Sequence, residues 1–257
     1  MHRKAKKLNL KNILVSQPQP ADLAKSPYGS LAEKYNLNID FHKFIKVEGV
    51  TSKEFRKSKI NILDHSAIIF TSRNAVDHFF RMCNELRVEV PDTLKYFCIS
   101  EATAFYLQKY VQYRKRKIFH GKQTFSELVD IIKKHKDEKY LLPCSDIHKA
   151  SLSKLLTENK IDHNKPIMYR TIASNLSQLK IDQYDMLIFF SPSGVKSLVK
   201  NFPKYKQNDT LIAAFGPTTS KAVADAGLKL NIKAPTKTAP SMTMAIEEFI
   251  QKESKKK

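Results

Sequence analysis

The chain has 257 residues, 42% of them hydrophobic, enough for one large domain or two of ordinary size with sizeable cores. A globally disordered chain is excluded on that ground. With 45 Lys and Arg against 25 Asp and Glu, the formal net charge is +20. Such a surface draws anions without choosing among nucleic acid, anionic lipid and a polycarboxylate metabolite.

Part of the positive excess sits in 2–7 and 255–257, where short lysine tails are ordinarily solvated. Behind the basic start, the apolar run 13–15 is too short for a signal peptide, and Gln17-Pro18-Gln19-Pro20 breaks it. No run reaches the roughly 20 apolar residues of a membrane span. The expectation is a soluble, cytoplasmic protein with no membrane partner.

Short β-rich runs at 12–16, 41–47, 67–71, 96–100, 117–120, 140–143, 166–171, 186–191, 211–216 and 231–234 alternate with longer amphipathic stretches. The segment 74–86 puts Val76, Phe79, Phe80 and Cys83 on one helical face, and 125–133 does the same with Phe125, Leu128, Val129 and Ile132. The segments 150–156 and 242–250 behave alike. Alternation of strand and helix predicts parallel sheets covered by helices.

An internal repeat sharpens this. Ile68-Ile69-Phe70-Thr71-Ser72-Arg73-Asn74-Ala75-Val76 resembles Leu187-Ile188-Phe189-Phe190-Ser191-Pro192-Ser193-Gly194-Val195. In nearly the same register, Ile99-Ser100-Glu101-Ala102-Thr103-Ala104 resembles Phe215-Gly216-Pro217-Thr218-Thr219-Ser220. The segments 140–144, a helix and 168–171 complete the first copy. For the second, 12–16, a helix through 31–35 and 41–47 supply what the end of the chain lacks. The predicted fold is α/β: two similar parallel-sheet, flavodoxin-like domains, one discontinuous, joined by a two-stranded β linker. The discontinuous domain is 1–40 plus 174–257, the inserted domain is 48–167, and the linker strands are 41–47 and 166–173. The cleft between the domains is the expected ligand site.

In open parallel sheets, ligands bind at the carboxyl ends of strands, where helix N-termini offer free N–H groups to anions. Here those ends carry Ser16-Gln17, Thr71-Ser72-Arg73-Asn74, Ser100 and Thr103, Cys144-Ser145, Ser191 with Ser193-Gly194, and Gly216 with Thr218-Thr219. Each hydroxyl alone reads equally as a helix N-cap, and capping and anion binding use the same amides. Paired carboxylates, a GxSxG elbow, glycine-rich phosphate loops and metal-spaced His clusters do not occur, so no metal and no cofactor is expected. Cys83, Cys98 and Cys144 stand far apart without a CxxC and read as buried, reduced thiols. His65, His120 and His148 read as surface or packing residues. The basic run 113–117 reads as the exposed end of a helix leading into a strand.

With these motifs in this order, the chain from about Asn12 to Ile250 resembles the uroporphyrinogen-III synthase family. The resemblance is carried by 70–76, by 189–195, by Ala213-Ala214-Phe215-Gly216-Pro217-Thr218-Thr219, and by Met168-Tyr169-Arg170-Thr171. It implies a cofactor-free cyclising lyase acting on hydroxymethylbilane, a linear tetrapyrrole with carboxylates on every ring. That substrate loses its hydroxyl as water, and closes with inversion of the last ring through a spiro intermediate. It implies Tyr169 as the group assisting hydroxyl departure. Ser72, Thr103, Ser191, Ser193, Thr218 and Thr219 are the carboxylate binders, with Arg73, Asn74, Ser145 and Gly194 beside them. A monomer is expected because two cores bury their own faces, no nucleic-acid partner is expected, and the resemblance allows transient contact with the upstream bilane-forming enzyme. Two other readings stay open: an anion-sensing module on the same fold, and a basic nucleic-acid-binding protein.

Overall fold

The computed structural model describes residues 10–147 and 150–255; the basic stretch 2–7, His148, Lys256 and Lys257 lie outside the described residues. From the N-terminal side come β1 (Asn12–Val15), α1 (Pro27–Tyr35), β2 (Asn38–Phe41), β3 (Ile45–Gly49) and α2 (Ser52–Arg56). Next are β4 (Ala67–Phe70), α3 (Arg73–Leu86), β5 (Lys95–Cys98), α4 (Glu101–Leu107), β6 (Ile118–His120) and α5 (Phe125–Ile132). Then follow β7 (Tyr140–Leu141), β8 (Cys144–Ser145), α6 (Ala150–Glu158), β9 (His163–Asn164) and β10 (Ile167–Ala173). The last elements are β11 (Met186–Phe189), α7 (Pro192–Asn201), β12 (Leu211–Phe215), α8 (Pro217–Asp225), β13 (Ile232–Ala234) and α9 (Met242–Ser254).

The chain divides into two units, Met1–Lys46 with Ile172–Lys257, and Val47–Thr171. Each is built on a five-stranded parallel sheet, in the order β13-β12-β11-β1-β2 and β6-β5-β4-β7-β9. Counted from β1, the first sheet has the flavodoxin order 2-1-3-4-5. Counted from β7, the second has the same order. The two units are therefore circular permutations of one arrangement.

Strand alternation explains why both faces of each sheet are covered. In β4, Ile68 and Phe70 enter one core with Val76 and Phe79 of α3, while Ala67 and Ile69 enter another with Leu128 and Ile132 of α5. In β11, Met186 and Ile188 pack with Ile246 of α9, while Leu187 and Phe189 pack with Val195 and Leu198 of α7. All three cysteines are free and buried within these cores.

A separate sheet, ordered β3-β10-β8, contains the strands by which the chain passes from one unit to the other. Hydrogen bonds from Ser174 N–H to the Phe44 carbonyl (2.9 Å) and from Val50 N–H to the Met168 carbonyl (3.0 Å) set β3 and β10 in opposite directions. The short β8 joins the expected two-strand ladder as a third strand, parallel to β10.

Three local expectations are corrected. The run 41–47 is not one strand: β2 ends at Phe41, and Phe44 turns into the core at 1% exposure before β3 begins. Its carbonyl there accepts from both Ser174 N–H and the buried Ser197 hydroxyl. The fifth strand of the inserted sheet is the two-residue β9 rather than 168–171, which lies in β10. The run 113–117 is exposed turn and loop, since α4 stops at Leu107, well before it.

Candidate active site

In the unit 47–171, β4 delivers the chain to Ser72, the N-cap of α3, whose Oγ accepts the Ala75 N–H at 3.1 Å. An N-cap oxygen of this kind satisfies one of the four free amides of a helix start. Tyr169 on β10 reaches the same point: its phenol oxygen lies 3.3 Å from Ser72 Oγ. The ring is 8% exposed and lies within the core beside α3. Burial raises the phenol pKa, partly offset by the bond to Ser72, so the hydroxyl keeps its proton.

The neighbouring predicted residues have different surroundings. Arg73 and Asn74 are exposed in the first turn of α3, and the Arg73 guanidinium sits 5.3 Å from the centre of the Tyr106 ring, a cation–π contact. Ser145 on β8 is in register with Tyr169, and its Oγ accepts the Ile147 N–H at 3.2 Å. Thr103 is buried in the first turn of α4, with its hydroxyl 3.2 Å from Ser100 Oγ, which caps that helix.

In the other unit, Ser191 caps α7 by accepting the Gly194 N–H at 3.1 Å. A methyl group at Gly194 would fit in ordinary van der Waals contact, 3.5 Å from Ser16 Oγ and 3.6 Å from Ser191 Oγ. Ser16 follows β1 and Ser191 follows β11, so both stand where the strand order reverses, the usual ligand position of such sheets. Ser193 is half-buried in the first turn of α7. At the start of α8, Thr218 is exposed and Thr219 is 1% exposed. That helix has no side-chain cap, because its cap residue Gly216 has no side chain; glycine there takes φ +86°, which other residues rarely adopt.

Two residues beside Tyr169 escaped the sequence reading. The His78 ring stacks on the Tyr169 ring with centroids 5.0 Å apart, and its pKa is lowered by burial and by the Arg81 charge. Arg81 Nη2 donates to the carbonyls of Val50 (2.8 Å) and Met168 (3.2 Å). The available signal was the polar stripe Asn74, His78, Arg81 and Glu85, at helical spacing along the helix that buries Val76, Phe79 and Cys83. Among the described residues, no group of three or more His, Cys, Asp or Glu could hold a metal ion, and no helix is long and apolar enough to cross a membrane.

Two doubly wound units with hydroxyls and helix starts at their strand ends define the class: an α/β protein of two similar parallel-sheet units. A family model described as HEM4, uroporphyrinogen-III synthase HemD, matches residues 29–244. The structure is similar to that of uroporphyrinogen-III synthetase from Helicobacter pylori, at 18% identity over 94% of this chain and 99% of that one, with a TM-score of 0.57. It is also similar to a mutant uroporphyrinogen III synthase from the extremely thermophilic bacterium Thermus thermophilus, at 14% identity over 96% of this chain and 100% of that one, with a TM-score of 0.50. No curated protein matches the sequence. The chain belongs to the uroporphyrinogen-III synthase family, cyclising lyases of tetrapyrrole biosynthesis.

Proposed function

We propose that the chain closes hydroxymethylbilane to uroporphyrinogen III, with loss of water and inversion of the last pyrrole ring. The family match across 29–244 carries this reading. The main task is conformational, because the unaided bilane closes without inversion and the enzyme must present the crowded ring carbon to the electrophilic end.

The residue roles follow from the chemistry at hand. Ser72 Oγ already accepts from Ala75, and its own proton is free to go to Tyr169 Oη. The phenol proton then remains for the departing hydroxyl, and the phenol does not need to ionise. The free amides at the start of α3 and the amides and hydroxyls at the starts of α7 and α8, with Thr103 and Ser145, take substrate carboxylates; Arg73 adds a cation that can pair with one. The protein acts in the cytoplasm, and it acts as a monomer, the latter reading supported by the way each unit covers both faces of its sheet.

An isomer assay tests the function. Hydroxymethylbilane is generated in situ by its upstream enzyme, and products are oxidised to porphyrins and separated. Type III product appearing only with this protein is the expected result. Type I alone, with the protein shown to be folded, overturns it in favour of an anion-binding, non-catalytic module.

A further inference from the structure

We propose that Arg81 and His78 are positioning residues for Tyr169, one guanidinium holding both the backbone before the tyrosine and, through the imidazole, the plane of its ring. The inference rests on the role given to Tyr169 above. It places the control of the phenol in two residues of α3 that touch no substrate in this scheme.

Arg81 uses four of its five N–H groups. Two go to the Val50 and Met168 carbonyls, so the peptide immediately before Tyr169 is gripped from α3. A third goes to Glu85, one turn further along the helix. The fourth, Nε–H, is donated to His78 Nδ1 at 3.1 Å. A guanidinium suits this because its five N–H groups are held in one planar, rigid fork; a lysine has three donors, fewer than the four bonds made here.

Accepting that bond fixes the imidazole. With Nδ1 an acceptor, the proton sits on Nε2 and the ring is neutral. The ring then lies almost parallel to Tyr169, at 14° and 5.0 Å between centroids, an offset stack. The phenol can turn neither about its backbone nor in its ring plane without breaking one of these contacts, so its hydroxyl stays on Ser72.

Gly49 completes the device. A methyl group there would come within 2.5–2.7 Å of the guanidinium Cζ, Nε and Nη2. The absent side chain is what lets Arg81 lie flat against β3. Gly49→Ala therefore displaces the guanidinium without altering any group that faces Tyr169's ring.

The test uses the full chain in the coupled bilane assay, with Tyr169 ring signals followed by NMR after 13C-tyrosine labelling and assigned through Tyr169→Phe. His78→Ala and Gly49→Ala are expected to lower kcat about tenfold with KM changed less than about twofold, as misplacement of a reacting group does. Both are expected to shift the Tyr169 signals. His78→Phe, which keeps a ring to stack but offers the Arg81 Nε–H no acceptor, is expected to recover rate and signals only in part. Unchanged signals and kcat in His78→Ala overturn the proposal, as does a His78→Phe enzyme as slow and as shifted as His78→Ala. If Tyr169→Phe itself runs at full rate, the role of the phenol fails. The NMR signals alone then decide whether Arg81 and His78 hold the ring: signals unmoved in either His78→Ala or Gly49→Ala refute it, and signals moved in both, with partial recovery in His78→Phe, uphold it.

Discussion

The hydroxyl of Tyr169 stands 3.3 Å from that of Ser72, 97 residues away in sequence, so the strand leaving the inserted unit is tied to the start of its first sheet helix. Removing the phenol oxygen keeps the stacked ring and deletes only this bond and its proton. Tyr169→Phe is expected to lower kcat by about tenfold to a hundredfold, with thermal stability within about 1 kcal/mol of the parent. Turnover of the purified variant, read beside its melting curve, checks both; an unchanged rate removes Tyr169 from the chemistry.

The caps and the exposed threonine separate stability from binding. Ser72→Ala and Ser191→Ala each remove an N-cap acceptor and are expected to cost about 1 kcal/mol. Thr218 is exposed in the first turn of α8, so Thr218→Ala is expected to leave the urea midpoint in place and to raise KM. Denaturant melts and steady-state kinetics on the three variants distinguish the two effects. A Thr218→Ala enzyme with unaltered KM and kcat would falsify its role as a carboxylate donor.

Alkaline pH should weaken the fold. Burial pushes Cys83 and Cys98 up to about 12 and Cys144 to about 11, against an ordinary value of 9.0. Burial also raises the phenols of Tyr96 and Tyr140. In the unfolded chain these groups release protons first, so above about pH 9 unfolding releases protons and stability falls as pH rises. Below that range both states hold the protons and these groups add no slope. Melting temperatures at intervals from pH 7 to 11 give the check, and the triple Cys→Ala variant should show a shallower decline above pH 9.

Phe44 anchors the chain between β2 and β3. It is 1% exposed, packs edge-on to Phe189 at 5.8 Å, and its carbonyl receives two hydrogen bonds. Phe44→Ala is expected to cost about 3–5 kcal/mol. A loss below about 1 kcal/mol in equilibrium unfolding would show that the site collapses around the cavity.

Much of this was legible in sequence because it is local and periodic. The apolar runs at 67–70, 186–189 and 211–215 are strands buried on both faces, and α3 shows its core face through Val76, Phe79 and Cys83. The hydroxyls placed at strand ends do cap helices at Ser72, Ser100 and Ser191. The failures have physical causes too. His163 and Asn164 form a strand too short to have a period, held by pairing with Tyr140 and Leu141. The break between β2 and β3 depends on Phe44 finding a core made mostly by residues after 175, which no local pattern announces. The grip of Arg81 on Met168 and of His78 on Tyr169 is likewise made across the chain, so the helical stripe could be seen while its purpose could not.

The permuted strand order has a consequence for biosynthesis on the ribosome. All five strands of the β6-β5-β4-β7-β9 sheet lie between 67 and 164, so that sheet can close soon after its last strand emerges. In the other unit, β1 is made early, yet its partner β11 comes only at Met186. Until then the nascent Ile13-Leu14-Val15 strand has β2 on one side and an unsatisfied hydrogen-bonding edge on the other. The half made first is thus completed last, and the interval is a natural window for chaperone capture or for mispairing between neighbouring nascent chains.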